Sequence, residues 1–236
     1  MKAGHRSGPL NLIFDADDTL WDSNVHFLEA FESFALAIEE IGLAVDRTEI
    51  RSAVRDAELK RIEEFGYGRA PYVAALHHAA ARLAQPEHRV RLRKAVAKIG
   101  THLIERDCPL LPGVRPALEE LALRHRLLLF TKGQPAEQLR RLARSGLGRF
   151  FERIDTPREK DVSAYRRLVR EAELDPGATF MIGNSPRSDI NPAVRAGLRA
   201  VFIPHPHTWE LEQEEIQPAD GMIIEVNSFH RLLEVF

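Results

Sequence analysis

Three carboxylates fall within four residues in the stretch FDADDTL, where Asp15, Asp17 and Asp18 directly follow an apolar run over residues 10–14. Alternate residues of an extended chain point the same way, so Asp15 and Asp17 can face one site. Two carboxylates that close raise each other's pKa and cannot both stay ionised cheaply. A divalent cation removes that penalty. Mg2+ favours oxygen ligands and is held by one or two carboxylates plus a phosphate. An ionised Asp beside it can attack an electron-poor phosphorus, while a second Asp hands a proton to the leaving oxygen.

Such residues need a rim to stand on. Short apolar runs predict strands over residues 10–14, 127–130, 153–155, 179–182 and 200–203, with a weaker one at 222–226. Helical patterns fall between them, at 115–124, 135–146, 162–172 and 192–196, with a last one at 230–236. Pro135 suits a first helical turn and Gly146 a helix end. Alternation of this kind predicts an α/β fold with a Rossmann-like, mainly parallel sheet covered on both faces. Ligands of such a sheet bind beyond the carboxyl ends of its strands. Those positions hold Asp15, Asp17, Asp18, Thr131, Asn184, Ser185 and Asp189, with Lys160 just before a helix. Thr131 and the backbone N–H groups from Lys132 onward suit phosphoryl oxygens, and Lys160 supplies positive charge.

The texture changes between residues 24 and 106. Phe27, Phe31, Phe34, Leu36, Ile38 and Ile41 recur at helical spacing, and further helices are expected near 46–65, 70–83 and 86–104. Gly66 and Gly68 in FGYGRAP mark a loop, and no strand is expected here. The expected organisation is an α/β core of residues 1–22 and 107–236 with an all-helical insert at 23–106. Residues 1–9 read as a loose polar tail. In the FGYGRAP loop, Arg69 is the candidate substrate contact.

Lys plus Arg total 33 against 35 Asp plus Glu, a formal net charge of −2, which argues against a broad nucleic-acid surface. No run approaches the roughly 18–20 apolar residues needed to span a bilayer, and MKAGHRSGP lacks the apolar segment of a secretory signal. Cys108 is the only cysteine, so no intrachain disulfide can form. A soluble cytoplasmic protein is expected. The ten histidines show no zinc-ligand spacing, and HPHTW (205–209) is expected near the edge of the site.

FDADDTL resembles motif I of the haloacid dehalogenase-like, or HAD, superfamily of aspartate-nucleophile hydrolases. LLLFT looks like motif II, and EKDVSAY, with Lys160 five residues before Tyr165, looks like motif III. FMIGNSPRSDINPAVRAG is similar to motif IV, whose usual form begins GDS. The four come in order from Leu10 to Gly197, and the helical insert resembles the superfamily's C1 cap. The resemblance implies that Asp15 is a nucleophile forming a phospho-aspartyl intermediate and that Asp17 is the general acid/base. It assigns phosphate binding to Thr131, Lys132 and Lys160. Mg2+ is expected on Asp15, Asp17 through its carbonyl, Asn184 and Asp189. Asn184 departs from the usual Asp and brings no charge, which leaves Asp189 to carry more of the neutralisation, directly or through water.

The function implied is Mg2+-dependent hydrolysis of a small phosphorylated metabolite. Two alternatives are a metal-independent 2-haloacid dehalogenase and a receiver-like phosphorylation-switch module. Asp17 argues against the first, since a halide leaving group needs no proton. The large insert and the placement of the acids argue against the second.

Overall fold

Asn11–Phe14 forms strand β1, and all four of its residues are buried. The structure is a computed structural model that describes residues 8–236, so the tail expected over residues 1–9 falls mostly outside the described residues. The other strands are β2 (Arg126–Phe130), β3 (Arg153–Asp155), β4 (Thr179–Gly183), β5 (Arg199–Phe202) and β6 (Ile223–Glu225). Among the described residues these form one sheet in the order β3-β2-β1-β4-β5-β6, with every pairing parallel. Alternation along the strands explains the unbroken apolar runs. Leu12, Phe14, Leu127, Leu129, Phe180 and Ile182 enter a core on one face. Ile13, Leu128, Phe130 and Met181 enter a second core on the other.

Register decides where the rim lies. Phe14 pairs with Leu129 on one side and Ile182 on the other, so β1, β2 and β4 end level. Asp15, Thr131 and Asn184 are the residues at or just beyond those ends. The chain runs outward from β1 through β2 and β3, then returns to the other side at β4. A crevice therefore opens between β1 and β4, the switch point at which parallel sheets bind ligands.

The described chain divides into two compact units, one comprising the segment up to Asn24 with Cys108–Phe236, the other Val25–Asp107. The second unit is all-helical: α1 (Asn24–Ile41) leads into it, followed by α2 (Arg47–Phe65), α3 (Arg69–Leu83) and α4 (Arg89–Glu105). Phe31, Phe34, Ile38, Ile50, Leu76, Leu92 and Val96 form its core. Leu36, placed on the apolar stripe by spacing, is 49% exposed instead, because it turns away from that core. Gly66 and Gly68 both have positive φ, 79° and 144°, and break the chain between α2 and α3.

In the α/β unit α5 (Val114–Leu121), α6 (Pro135–Ser145), α7 (Val162–Glu171), α8 (Asn191–Arg195) and α9 (Leu232–Val235) flank the sheet. The last helix is shorter than expected, because Phe229–Arg231 forms a tighter 3-10 turn first. Two chain segments connect this unit to the helical one and are tied side by side. Asp22 N–H donates to Pro109 O at 3.1 Å, and Leu111 N–H to Leu20 O at 3.0 Å. No described helix is long and apolar enough to cross a membrane.

The start of α7 matters because Lys160 sits just before it. Asp161 is its N-cap, its side chain accepting from Ala164 N–H at 2.7 Å. Asp161→Ala is expected to cost about 1 kcal/mol of stability, read from urea denaturation. An unchanged midpoint would show that the cap contributes nothing.

Candidate active site

The Lys160 ammonium is the centre of the rim. It donates to Asp15 Oδ1 at 2.6 Å, to Phe130 O at 3.3 Å, and to Asp189 Oδ1 in a very short contact. All three groups are buried, and Asp189 is fully so. Burial alone would lower Lys160, but Asp15 and Asp189 more than reverse that and hold it charged. Burial pushes the Asp15 carboxyl up to about 8, with Lys160 pulling it down and Asp189 pushing it further up. Asp189 is raised too, again chiefly by burial. Its other oxygen, Oδ2, accepts from Ser185 N–H at 3.0 Å. A Cβ on Gly183 would lie 2.2 Å from that oxygen, so only glycine leaves room for the carboxylate against β4.

Asp15 Oδ2 faces the crevice with Asn184 Oδ1. Both lie 3.2 Å from Thr19 Oγ1, while Asn184 Nδ2 donates to Thr208 Oγ1 at 3.0 Å and so fixes the amide's orientation. One hydroxyl proton cannot fill two acceptors, so an oxygen lone pair stays open where they converge. When both are ionised, the two carboxylates also exceed the one ammonium in charge, an excess that raises their proton affinity and that a cation would relieve. Converging oxygens and excess negative charge fit a hard divalent cation.

Asp17 lives differently, although only two residues away. Oδ1 accepts from Trp21 Nε1 at 2.8 Å and Arg141 Nη1 at 2.7 Å, and Oδ2 from Gln138 Nε2 at 2.7 Å. Burial opposes its charge, but the Arg141 guanidinium and these hydrogen bonds outweigh it and hold the carboxyl below its usual range. Its side chain keeps 34% exposure, against 9% for Asp15. A family model for haloacid dehalogenase-like hydrolases matches residues 11–197, the span that carries Asp15, Asp17, Gln138, Arg141, Lys160, Asn184 and Asp189.

The chain belongs to the haloacid dehalogenase-like hydrolases. Among solved structures it is similar to a haloacid dehalogenase-like family hydrolase from Xanthomonas campestris, with 25% identity, a TM-score of 0.76, and coverage of 95% of this chain and 92% of the other. A 2-haloacid dehalogenase from Pseudomonas syringae pv. tomato shares the fold at 20% identity and TM-score 0.62, covering 96% and 97%. YfnB from Bacillus subtilis, assigned as a HAD-hydrolase and solved bound to magnesium, does so at 19% and 0.64, covering 97% and 99%. A comparison with curated proteins finds no significant match.

In this HAD-like hydrolase the other expected residues occupy varied positions. Thr131 is buried at the end of β2, its N–H donating to Asp155 O at 3.1 Å and its hydroxyl lying 3.4 Å from Lys132 O. The Lys132 ammonium donates to Glu212 Oε1 at 2.6 Å and lies 3.7 Å from Glu159. Glu212 also accepts from Ser185 Oγ at 2.6 Å. Burial works against the Glu212 charge, but Lys132 and the serine bonds keep it low. Asp18 takes a left-handed turn, φ 60°, and Oδ1 accepts from Ser23 and Asn24 N–H at 2.8 and 2.9 Å. His205, Asp18 and Asp22 bring ligand-type atoms within 4.8 Å of one another, a grouping that spacing in the sequence does not reveal. Burial keeps His205 low.

Arg69 is not on a loop. It is the first residue of α3, buried within the helical unit, and its Nη1 donates to the carbonyls of Ile104 and Arg106 at the end of α4. Sequence reasoning also missed Thr19, Gln138, Arg141 and Glu212. Thr19 lies inside FDADDTL, so its motif was in view. Gln138 and Arg141 stand at i, i+3 on the helix after β2, a spacing that marks a shared face and nothing more. Glu212 follows β5 at the end of a three-residue 3-10 turn, too short for a pattern to single it out.

Lys160→Met would strand two buried carboxylates. A native carboxyl raised above its unfolded value keeps a proton that the unfolded chain has lost, so stability falls as pH rises through that window. The expected loss is about 3–5 kcal/mol near pH 8, shrinking toward about pH 5 as Asp15 and Asp189 take up protons. Urea denaturation at both pH values checks it. An equal loss at both would rule out the charge argument.

Proposed function

We propose that this HAD-like hydrolase is a phosphomonoesterase acting on a small phosphorylated metabolite through a phospho-Asp15 intermediate. The observation that carries the reading is Asp17, a second, part-exposed carboxylate at the same strand end as Asp15, held by Arg141, Gln138 and Trp21. A reaction that expels halide has no use for a proton carrier there, whereas ester hydrolysis must move protons at the leaving oxygen and at water.

Asp15 presents Oδ2 to the crevice, and its attack on phosphorus would form an acyl phosphate while the leaving oxygen departs on the opposite side with a proton from Asp17. Lys160, already against Asp15, offers positive charge to the phosphoryl oxygens, and Thr131 stands beside it at the end of β2. Water deprotonated by Asp17 would then release phosphate and restore Asp15. Asp15, Asn184 and the Asp17 carbonyl are the groups that would hold Mg2+. Bound there, Mg2+ would neutralise the phosphoryl charge. Asp189 accepts one N–H on each oxygen, from Lys160 and Ser185, and is the further acid that would neutralise the ion, directly or through water. The B. subtilis neighbour solved with magnesium supports this choice of ion. The helical unit is read as the C1-type cap that sets the substrate.

A panel of phosphorylated metabolites and p-nitrophenyl phosphate, with Mg2+ or with EDTA, tests the reading. Phosphate release is expected with Mg2+ only. Asp15→Asn should lower it at least about 10³-fold with an unchanged melting temperature. Full activity in that variant, or halide release from 2-haloacids in EDTA, would overturn it.

A further inference from the structure

Asp17 is gripped from one side by a single helix. Gln138 and Arg141, three residues apart on α6, each put a nitrogen 2.7 Å from its carboxylate. Both are themselves braced. Arg141 also donates to Ser23 Oγ at 3.3 Å and pairs with Glu137 one turn back. Gln138 Nε2 donates a second bond to Lys132 O at 2.9 Å. Gly133, at φ 123°, makes space for this: a Cβ there would lie 2.8 Å from Gln138 Nε2. Burying a guanidinium and an amide at this density is unfavourable unless their partners are fixed in return.

What they fix is the direction of the carboxylate. Trp21 and Arg141 fill Oδ1, Gln138 is the one N–H group on Oδ2, and the Ser23 hydroxyl adds to the grip, so Oδ2 is the oxygen left for a further proton. We propose that Arg141 and Gln138 are positioning residues for the second half of the reaction, aiming Asp17 at the water that cleaves phospho-Asp15. This rests on the phosphomonoesterase reading. In that step the water oxygen bonds to phosphorus and its proton passes to Asp17 Oδ2. The phosphorus–oxygen bond to Asp15 breaks, its electron pair returns to the Asp15 carboxylate, and inorganic phosphate leaves. Neither Arg141 nor Gln138 touches phosphorus. They act through Asp17.

p-Nitrophenyl phosphate separates the two halves, because nitrophenolate leaves without a proton. In rapid mixing with Mg2+, Arg141→Met is expected to keep a fast first turnover. It should release nitrophenolate in a burst approaching one per enzyme, then continue about 10²-fold more slowly than the wild type. The phosphate adduct should accumulate on the intact protein, and Arg141→Lys should recover part of the steady rate. Gln138→Leu carries the same expectation and stands in if Arg141→Met does not fold, as judged by its melting temperature. A slower steady rate with neither burst nor adduct, or an unchanged rate, would overturn the positioning role. Failure of the underlying reading looks different: the wild type would release no nitrophenolate, or Asp15→Asn would release it at full rate, and the inference would fall with it.

Discussion

A lysine ammonium buried between two carboxylates holds the rim together. Lys160 bonds Asp15 from β1, Asp189 from the turn after β4, and the last carbonyl of β2. Three neighbouring strand ends are thus tied to one nitrogen that comes from a fourth part of the chain. Removing such charges from water is costly, and their mutual attraction repays it only when every donor is used, as here. The ties continue outward through Ser185 to Glu212 and Lys132, and inward through Thr19 to Asn184. The rim behaves as one hydrogen-bonded structure.

Asp15 and Asp17 show how little distance is needed to separate two acids chemically. Asp15 is sealed against a lysine that it shares with a second carboxylate, and its proton affinity rises. Asp17 faces α6, where a guanidinium not shared with Asp189 meets it, and its affinity falls. Alternation along an extended strand would have pointed both the same way, but the chain leaves the strand at Phe14 and the turn re-aims the second acid. Pairs pushed apart in this manner are a common way for a site to divide nucleophile from proton carrier.

The sheet was legible because strands buried on both faces leave unbroken apolar runs, and Leu12, Ile13 and Phe14 are such a run. Asp15, Thr131, Lys160 and Asn184 followed from where those runs stop. Arg141 and Gln138 did not, since a helix offers several faces and only the packed fold shows which one meets Asp17. Glu212 ends a three-residue 3-10 turn, too short to show a periodicity. Arg69 misled for a related reason: a glycine-flanked arginine reads as exposed, whereas it begins a helix and serves the carbonyls that end another. Motif spacing finds groups placed by strands, and misses those placed by helix packing.

Strand β1 has no neighbour nearby in the chain. Asn11 meets residues 115 and 168 positions further on, at Arg126 and Thr179. On a growing polypeptide Asp15 would therefore wait for residues 126–129 before its strand has a first partner and for residues 179–182 before it has a second. The bonds between Leu20–Asp22 and Pro109–Leu111 shorten that wait in space if not in time, since they bring the two sides of the long excursion together. With the excursion pinched off, the entropy of closing β1 onto β2 becomes that of a short loop. The small clasp is thereby what draws a strand at the head of the chain toward partners made much later.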